Sequence, residues 1–247
     1  MTQVLYWLFK YVIIGPFLRM TSRTVLTGEE NFPANGAAVL VGNHESVGDW
    51  LFTPLLLPRR VTFLAKSDYF TGSGIRGALS RWFFAGTGQY PIDRTNADAA
   101  QAALDAGMEV LSSGQILCVY PEGTRTPDGR LYRGKTGPAR LALRAGVPII
   151  PVGVVGTGDY IRKVTRPHRR TPVRVMIGEP LDLTPWAGRE GDRVAEREIT
   201  DEFMRRIQSL TGQEYVPDVY GAEMKKRYEA VRKSGRNLLD APVEGQR

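Results

Sequence analysis

The chain has 247 residues, 42% of them hydrophobic, enough apolar material for one large α/β domain or two small ones, and one is expected. A formal net charge of +7 and a sequence pI near 9.6 point to anionic partners without separating nucleic acid, anionic lipid, phosphorylated substrate and acidic carrier protein. The single cysteine, Cys118, excludes an intrachain disulfide framework, and its place in the apolar run 115–120 predicts a buried structural thiol.

Residues 4–18 (VLYWLFKYVIIGPFL) are apolar on every side of a helix apart from Lys10, the pattern of a buried or lipid-facing segment. These fifteen residues would span only ~22 Å as a helix, against about 30 Å of bilayer hydrocarbon. The nine Leu, Ile, Val and Phe residues favour insertion by roughly 4 kcal/mol and a central lysine opposes it by about 3, so an interfacial or partly inserted anchor is expected, kinked at Gly15-Pro16. Tyr6, Trp7 and Tyr11 suit the headgroup region, and Lys10 and Arg19 are expected to snorkel toward lipid phosphates.

After turn-rich residues 28–36, short apolar runs alternate with helical patterns, the signature of an α/β fold. Strands are predicted at 37–42, 61–65, 88–92, 115–120, 149–155 and 173–177, that at 88–92 near an edge because Pro91 interrupts it. Helices are predicted over about 46–57, 75–84, 96–113 and 136–145, then two charged ones over about 193–210 and 219–239. Ser46 and Asn96 are the expected N-caps of the first and third. The fold class is therefore a single α/β domain with a mixed, largely parallel central sheet flanked by helices, behind an N-terminal membrane-interfacial helix. The division expected is 1–27 as anchor and 28–247 as the functional domain, with the motif core at about 30–180 and the C-terminal helices at about 193–239.

The first chemical signal is Asn43-His44-Glu45-Ser46-Val47-Gly48-Asp49, between a buried strand and a helix, where open α/β sheets form their ligand crevice. His44 and Asp49 can meet only if the histidine precedes the helix and the aspartate lies in its first turn. The carboxylate then takes the proton of one imidazole nitrogen and leaves the other free to deprotonate a substrate hydroxyl. The other histidine, His168, sits in the solvated basic stretch 166–170, and Ser46 lacks the glycine pattern of a nucleophile elbow.

The second signal is Pro121-Glu122-Gly123-Thr124-Arg125, again at a strand end. Gly123 permits close backbone approach to an anion, Thr124 offers a hydroxyl donor, and Arg125 a bidentate grip on phosphate. Glu122 is expected to hydrogen-bond the acceptor or hold an arginine in place. Lys66 and Arg94 follow two further strands, and Lys135 lies ten residues after Arg125; parallel strands would gather these into a basic rim. No metal-ligand spacing occurs.

Together these residues resemble the glycerolipid acyltransferases typified by 1-acyl-glycerol-3-phosphate acyltransferase. Asn43 to Asp49 match that family's Asn-His-x-x-x-x-Asp block, Gly88 to Arg94 resemble its glycine-to-arginine block, and Pro121 to Arg125 are identical to its third. The run 147–152 (VPIIPV) resembles its fourth. The resemblance covers about residues 30–180 and implies that His44, held by Asp49, deprotonates an acceptor hydroxyl that attacks an acyl thioester, acyl-CoA or acyl carrier protein being the donor. It implies phosphate positioning by Arg94, Glu122, Gly123, Thr124 and Arg125, no cofactor, and a place on the cytoplasmic face of the plasma membrane, bound to anionic lipid. Glu45, and Thr126 where a serine is frequent, depart from the commonest lysophosphatidate enzymes and leave the acceptor open. Another lysophospholipid or glycolipid acceptor is the alternative. A non-catalytic anionic-lipid binder is a third reading, favoured by basic stretches 162–170 and 225–236 but not by the His44–Asp49 pair. Nucleic acid is not expected, since no aromatic-interleaved basic motif is present.

Overall fold

The computed structural model describes residues 2–92, 99–163 and 170–234. The N-terminal segment is helical in three pieces: α1 (Thr2–Leu8), a π-helical turn (Phe9–Ile13) and α2 (Ile14–Thr21). Pro16 has no amide hydrogen to donate and its ring crowds the carbonyl four residues back, so the turn before it widens. A Cβ on Gly15 would lie 1.8 Å from the Lys10 carbonyl oxygen, so only glycine fits there.

One face of this segment packs on the domain. Tyr6, Phe9 and Leu18 are buried, with the Phe9 ring 4.7 Å from that of Trp82. Tyr11, Val12, Ile13, Phe17 and Met20 are exposed. Lys10 does not snorkel outward. It is buried, its ammonium donates to the Leu57 carbonyl and lies 5.2 Å from the Trp7 ring centre, because a cation on the packed face must find its partner inside.

The chain then enters β1 (Ser22–Thr27), β2 (Ala38–Gly42), α3 (Asp49–Leu56), β3 (Val61–Lys66), α4 (Asp68–Thr71), α5 (Gly74–Gly86) and β4 (Gln89–Ile92). There follow α6 (Ala99–Ser112), β5 (Ile116–Val119), β6 (Leu131–Arg133), α7 (Gly137–Ala145), β7 (Ile149–Val155), α8 (Thr157–Lys163) and β8 (Thr171–Ile177). The last elements are α9 (Arg193–Thr211), β9 (Tyr215–Tyr220) and α10 (Gly221–Lys233).

Seven strands form one sheet in the order β1-β8-β7-β2-β5-β3-β4. From β7 to β4 every neighbouring pair is parallel, while β8 runs antiparallel to β7 and carries β1 parallel at the outer edge. The sheet is mixed and largely parallel, and β4 is an edge strand, as the sequence predicts. Alternation along β2 feeds two cores. Val39 and Val41 pack with Leu117, Leu141, Ile149, Phe203 and Ile207 under α7 and α9, while Ala38 and Leu40 pack with Phe63, Ile116, Cys118 and Ile150 on the other face. Cys118 is the buried thiol expected, and burial pushes its pKa up.

Five elements lie outside the sequence-based expectations: β1, α4, β6, α8 and β9. β1 precedes residue 28 yet belongs to the main sheet. β6 and β9 pair in a separate two-stranded sheet, so residues 219 and 220 are strand and the last helix begins at Gly221. Helix α8 directly follows β7. The N-cap expected at Asn96 lies outside the described residues.

Candidate active site

Five parallel strands end at one edge of the sheet, the side on which an open α/β fold builds its crevice. His44 follows β2, Lys66 closes β3, the loop 120–126 follows β5 and Thr157 follows β7. The helix after β2 does not start at Ser46. Its N-cap is Gly48, and Ser46 heads a separate turn in which its hydroxyl accepts from the Gly48 amide at 2.9 Å. Asp49 is therefore the first residue of α3, and its carboxylate reaches back over that turn.

Asp49 is fully buried and every oxygen is occupied. Oδ2 lies 2.8 Å from His44 Nδ1 and accepts from the Ser46 amide at 2.9 Å, and Oδ1 accepts the Thr157 hydroxyl. Nδ1 of His44 thus carries the proton, so Nε2 is the nitrogen with a lone pair to offer. The His44 side chain is 18% exposed, open to a substrate from one side. Tyr120 stacks on the imidazole with ring centres 4.0 Å apart and planes 8° from parallel, and Phe63 backs Tyr120. The imidazole is fixed by a hydrogen bond at one edge and an aromatic plane across its face.

The loop 120–126 is tied to the same histidine. Thr126 N donates to the His44 carbonyl at 2.8 Å, and the His44 amide donates to Glu122 Oε1 at 3.2 Å. The second oxygen of Glu122 accepts from the Tyr132 amide at 3.0 Å. Glu122 is 1% exposed, and burial lifts its pKa to about 7 against the pull of these two amides. The sequence predicts a carboxylate that bonds the acceptor or holds an arginine; the partners found among the described residues are instead these two backbone amides, through which Glu122 staples the histidine loop to β6. Gly123 (φ +70) turns the loop, and a Cβ there would lie 3.0 Å from Lys135 Nζ. Gly123, Arg125 and Lys135 are exposed and Thr124 half-buried.

Sequence reasoning left three participants without a structural role. Thr157 supplies the second donor to Asp49, and the only trace of it was a Gly-Thr-Gly stretch after an apolar strand. Glu45 accepts from the Gly156 amide at 3.0 Å, which fastens the histidine loop to the start of α8; burial first and the nearby Asp49 second raise its pKa. Asn43 bonds both backbone groups of Val154, each at 2.8 Å, where β2 and β7 part. Arg94 and His168 lie outside the described residues. Among the described residues no group of His, Cys, Asp and Glu is placed to hold a metal.

The family model described as Acyltransferase matches residues 23–155. The chain belongs to that acyltransferase family. Its matched region spans β1 to β7 and contains His44, Asp49 and the loop 120–126. A chloroplastic 1-acyl-sn-glycerol-3-phosphate acyltransferase of Brassica napus is 33% identical over 176 residues, 70% of this chain and 48% of the relative. A chloroplastic enzyme of the same name from Arabidopsis thaliana is also 33% identical over 176 residues, 70% of this chain and 47% of the relative. The chain thus spans about half the length of these acyltransferases. The crystal structure of the 1-acyl-sn-glycerophosphate acyltransferase PlsC from Thermotoga maritima is similar with a TM-score of 0.57 at 25% identity, covering 81% of this chain and 80% of that one.

Proposed function

We propose that this acyltransferase moves a fatty acyl group from an acyl thioester to the free hydroxyl of 1-acyl-glycerol-3-phosphate, giving phosphatidic acid. The observation that carries the reading is the docking of two loops: His44, with its proton held toward Asp49, is hydrogen-bonded through its own backbone to the loop bearing Gly123, Thr124 and Arg125. A base and an anion grip are thereby held on two hydrogen-bonded loops, as they must be when the reacting hydroxyl and the phosphate sit on adjacent carbons of one acceptor.

In this mechanism Nε2 of His44 takes the hydroxyl proton as the oxygen attacks the thioester carbonyl. The C–O bond forms, the C–S bond breaks, and the thiolate leaves with the proton returned by the imidazolium. Asp49 stabilises that imidazolium and keeps the tautomer. Gly123, Thr124 and Arg125 hold the acceptor phosphate, joined by Lys66 at the end of β3 and by Arg94, while Lys135 beside Gly123 serves substrate binding from the other side of the loop. Acyl-CoA or an acyl carrier protein serves as donor. The exposed apolar face of α1 and α2 supports membrane attachment, and we place the enzyme at the cytoplasmic face of the plasma membrane.

The test is a panel of acceptors with one acyl-CoA donor, run on the purified chain and on His44→Ala. Transfer to 1-acyl-glycerol-3-phosphate ahead of other lysophospholipids and glycolipids is expected, falling about 10²- to 10⁴-fold in the variant. Wild-type turnover by His44→Ala would refute the mechanism, and a different preferred acceptor would refute the substrate.

A further inference from the structure

Behind the loop 120–126 lies an open pocket of about 560 Å³, walled by Lys135, Thr136, Tyr220, Ala222, Glu223 and Lys226. Two helices begin there. Thr136 is the N-cap of α7 and Ala222 the second residue of α10, so both helices begin at one space and set the positive ends of their dipoles beside it. The acidic wall residue, Glu223, is paired with Arg227 at 2.7 Å. Among the described residues no carboxylate pairs with Lys135 or Lys226, and both lysines are exposed. Two lysines, with Glu223 cancelled by Arg227, leave a charge of +2 beside two helix starts.

The pocket adjoins the proposed catalytic loop without opening on the base. The Lys135 amide donates to the Pro121 carbonyl at 2.8 Å, and a Cβ on Gly221 would lie 3.2 Å from Thr124 Cγ2. His44 is not among its walls. Helix α10 is a fixed wall: Met224 is buried and the Tyr228 hydroxyl donates to Asp128 at 3.0 Å. It also lies beyond residue 155, where the family match ends.

The proposed reaction brings two phosphate-bearing substrates to one edge of the sheet. In the acceptor the phosphate is next to the reacting hydroxyl and must bind beside His44. In the donor it lies at the far end of the pantetheine arm, remote from the thioester. A volume within the ~300–1,000 Å³ of ordinary ligand sites exceeds what a lone phosphate needs. We propose that this pocket binds the phosphoester end of the acyl donor's phosphopantetheine arm, with Lys135 and Lys226 as the cations and the positive ends of the α7 and α10 dipoles beside them. The proposal rests on the acyltransferase reading, and it makes Lys226 a donor-binding residue.

Calorimetric titration of the detergent-solubilised full chain tests it without turnover, so that absence of acyl transfer and absence of this site are separate results. Coenzyme A should bind, and phosphate-free pantetheine at least tenfold more weakly. Lys226→Glu should weaken coenzyme A at least tenfold while 1-acyl-glycerol-3-phosphate stays within about twofold, and Lys226→Arg should restore coenzyme A binding. Repeating the titration with phosphopantetheinylated carrier protein separates the sources: an equal loss on both assigns the shared phosphoester, and a loss confined to coenzyme A assigns its nucleotide end. Coenzyme A binding indifferent to Lys226→Glu would overturn the proposal, and so would an equal loss of the acceptor.

Discussion

Thr157 reaches Asp49 from 108 residues away in the chain, and it is the sole donor found for Oδ1 of that buried carboxylate among the described residues. A hydrogen bond to a buried charge contributes about 1.5–3 kcal/mol. Thr157→Val, which keeps the shape and removes the donor, should therefore lower kcat about 10- to 100-fold with the acceptor KM little changed, as steady-state kinetics would show. Glu122 makes a different prediction. Unfolded, it releases its proton near the ordinary carboxylate value of 4.5; folded, burial holds the proton to about 7. The native state thus binds more protons between these values, and stability falls as pH rises through the window, by up to about 3 kcal/mol. Melting temperatures measured from pH 4.5 to 8 should decline less steeply in Glu122→Gln than in the wild type. His44 and Asp49 were legible because both lie within one seven-residue stretch and must meet across a helix start. Thr157 was not, since only tertiary folding brings it near, and the position of Glu122 was hidden because its partners are backbone amides that carry no sequence signature.

At the scale of elements, the parting of β2 and β7 depends on Asn43, whose amide completes the ladder where the two strands diverge toward the crevice. Asn43→Ala would leave the N–H and C=O of Val154 buried without partners, a cost of about 1–3 kcal/mol for each group. A stability loss of about 2–4 kcal/mol by denaturant unfolding is expected. The strands that carry the site were readable as apolar runs because parallel strands are covered on both faces. β1 was not: its residues, SRTVLT, show no polar–apolar alternation and no apolar run, and only its pairing with β8 shows that residues 22–27 belong to the sheet. β6 has three residues and pairs with a strand more than eighty positions later, so no local pattern could announce it. The predicted helices were found within a few residues where they are described, while α4 and α8 were not foreseen and Gly48 rather than Ser46 caps α3; a serine hydroxyl has several turns it can close, and the sequence does not choose among them.

Over the whole molecule, exposed apolar side chains gather on two neighbouring elements. Val12, Ile13, Phe17 and Met20 project from the N-terminal helices, and Ile75 (89% exposed), Leu79 and Trp82 from α5, which Phe9 joins to them through Trp82 and Phe83. Attachment to vesicles should therefore have an electrostatic part and an apolar part. Washing with 1 M salt, where the Debye length is about 3 Å, is expected to release only a fraction of vesicle-bound protein. Val12→Asp with Phe17→Asp, both at exposed positions, should make the remainder salt-extractable, as flotation assays would reveal. The tie between the two motif loops has a consequence for how such a chain can diversify. His44 is gripped through its amide by Glu122 and through its carbonyl by Thr126. The register of the His44 imidazole is thus a property of the loop proposed to grip phosphate. Grafting residues 121–126 from a relative with another acceptor preference would re-aim the imidazole along with the anion site. On the proposed mechanism the heritable module of selectivity would be the interlocked pair of loops, with Tyr132 as its clasp, so that neither half could be exchanged alone.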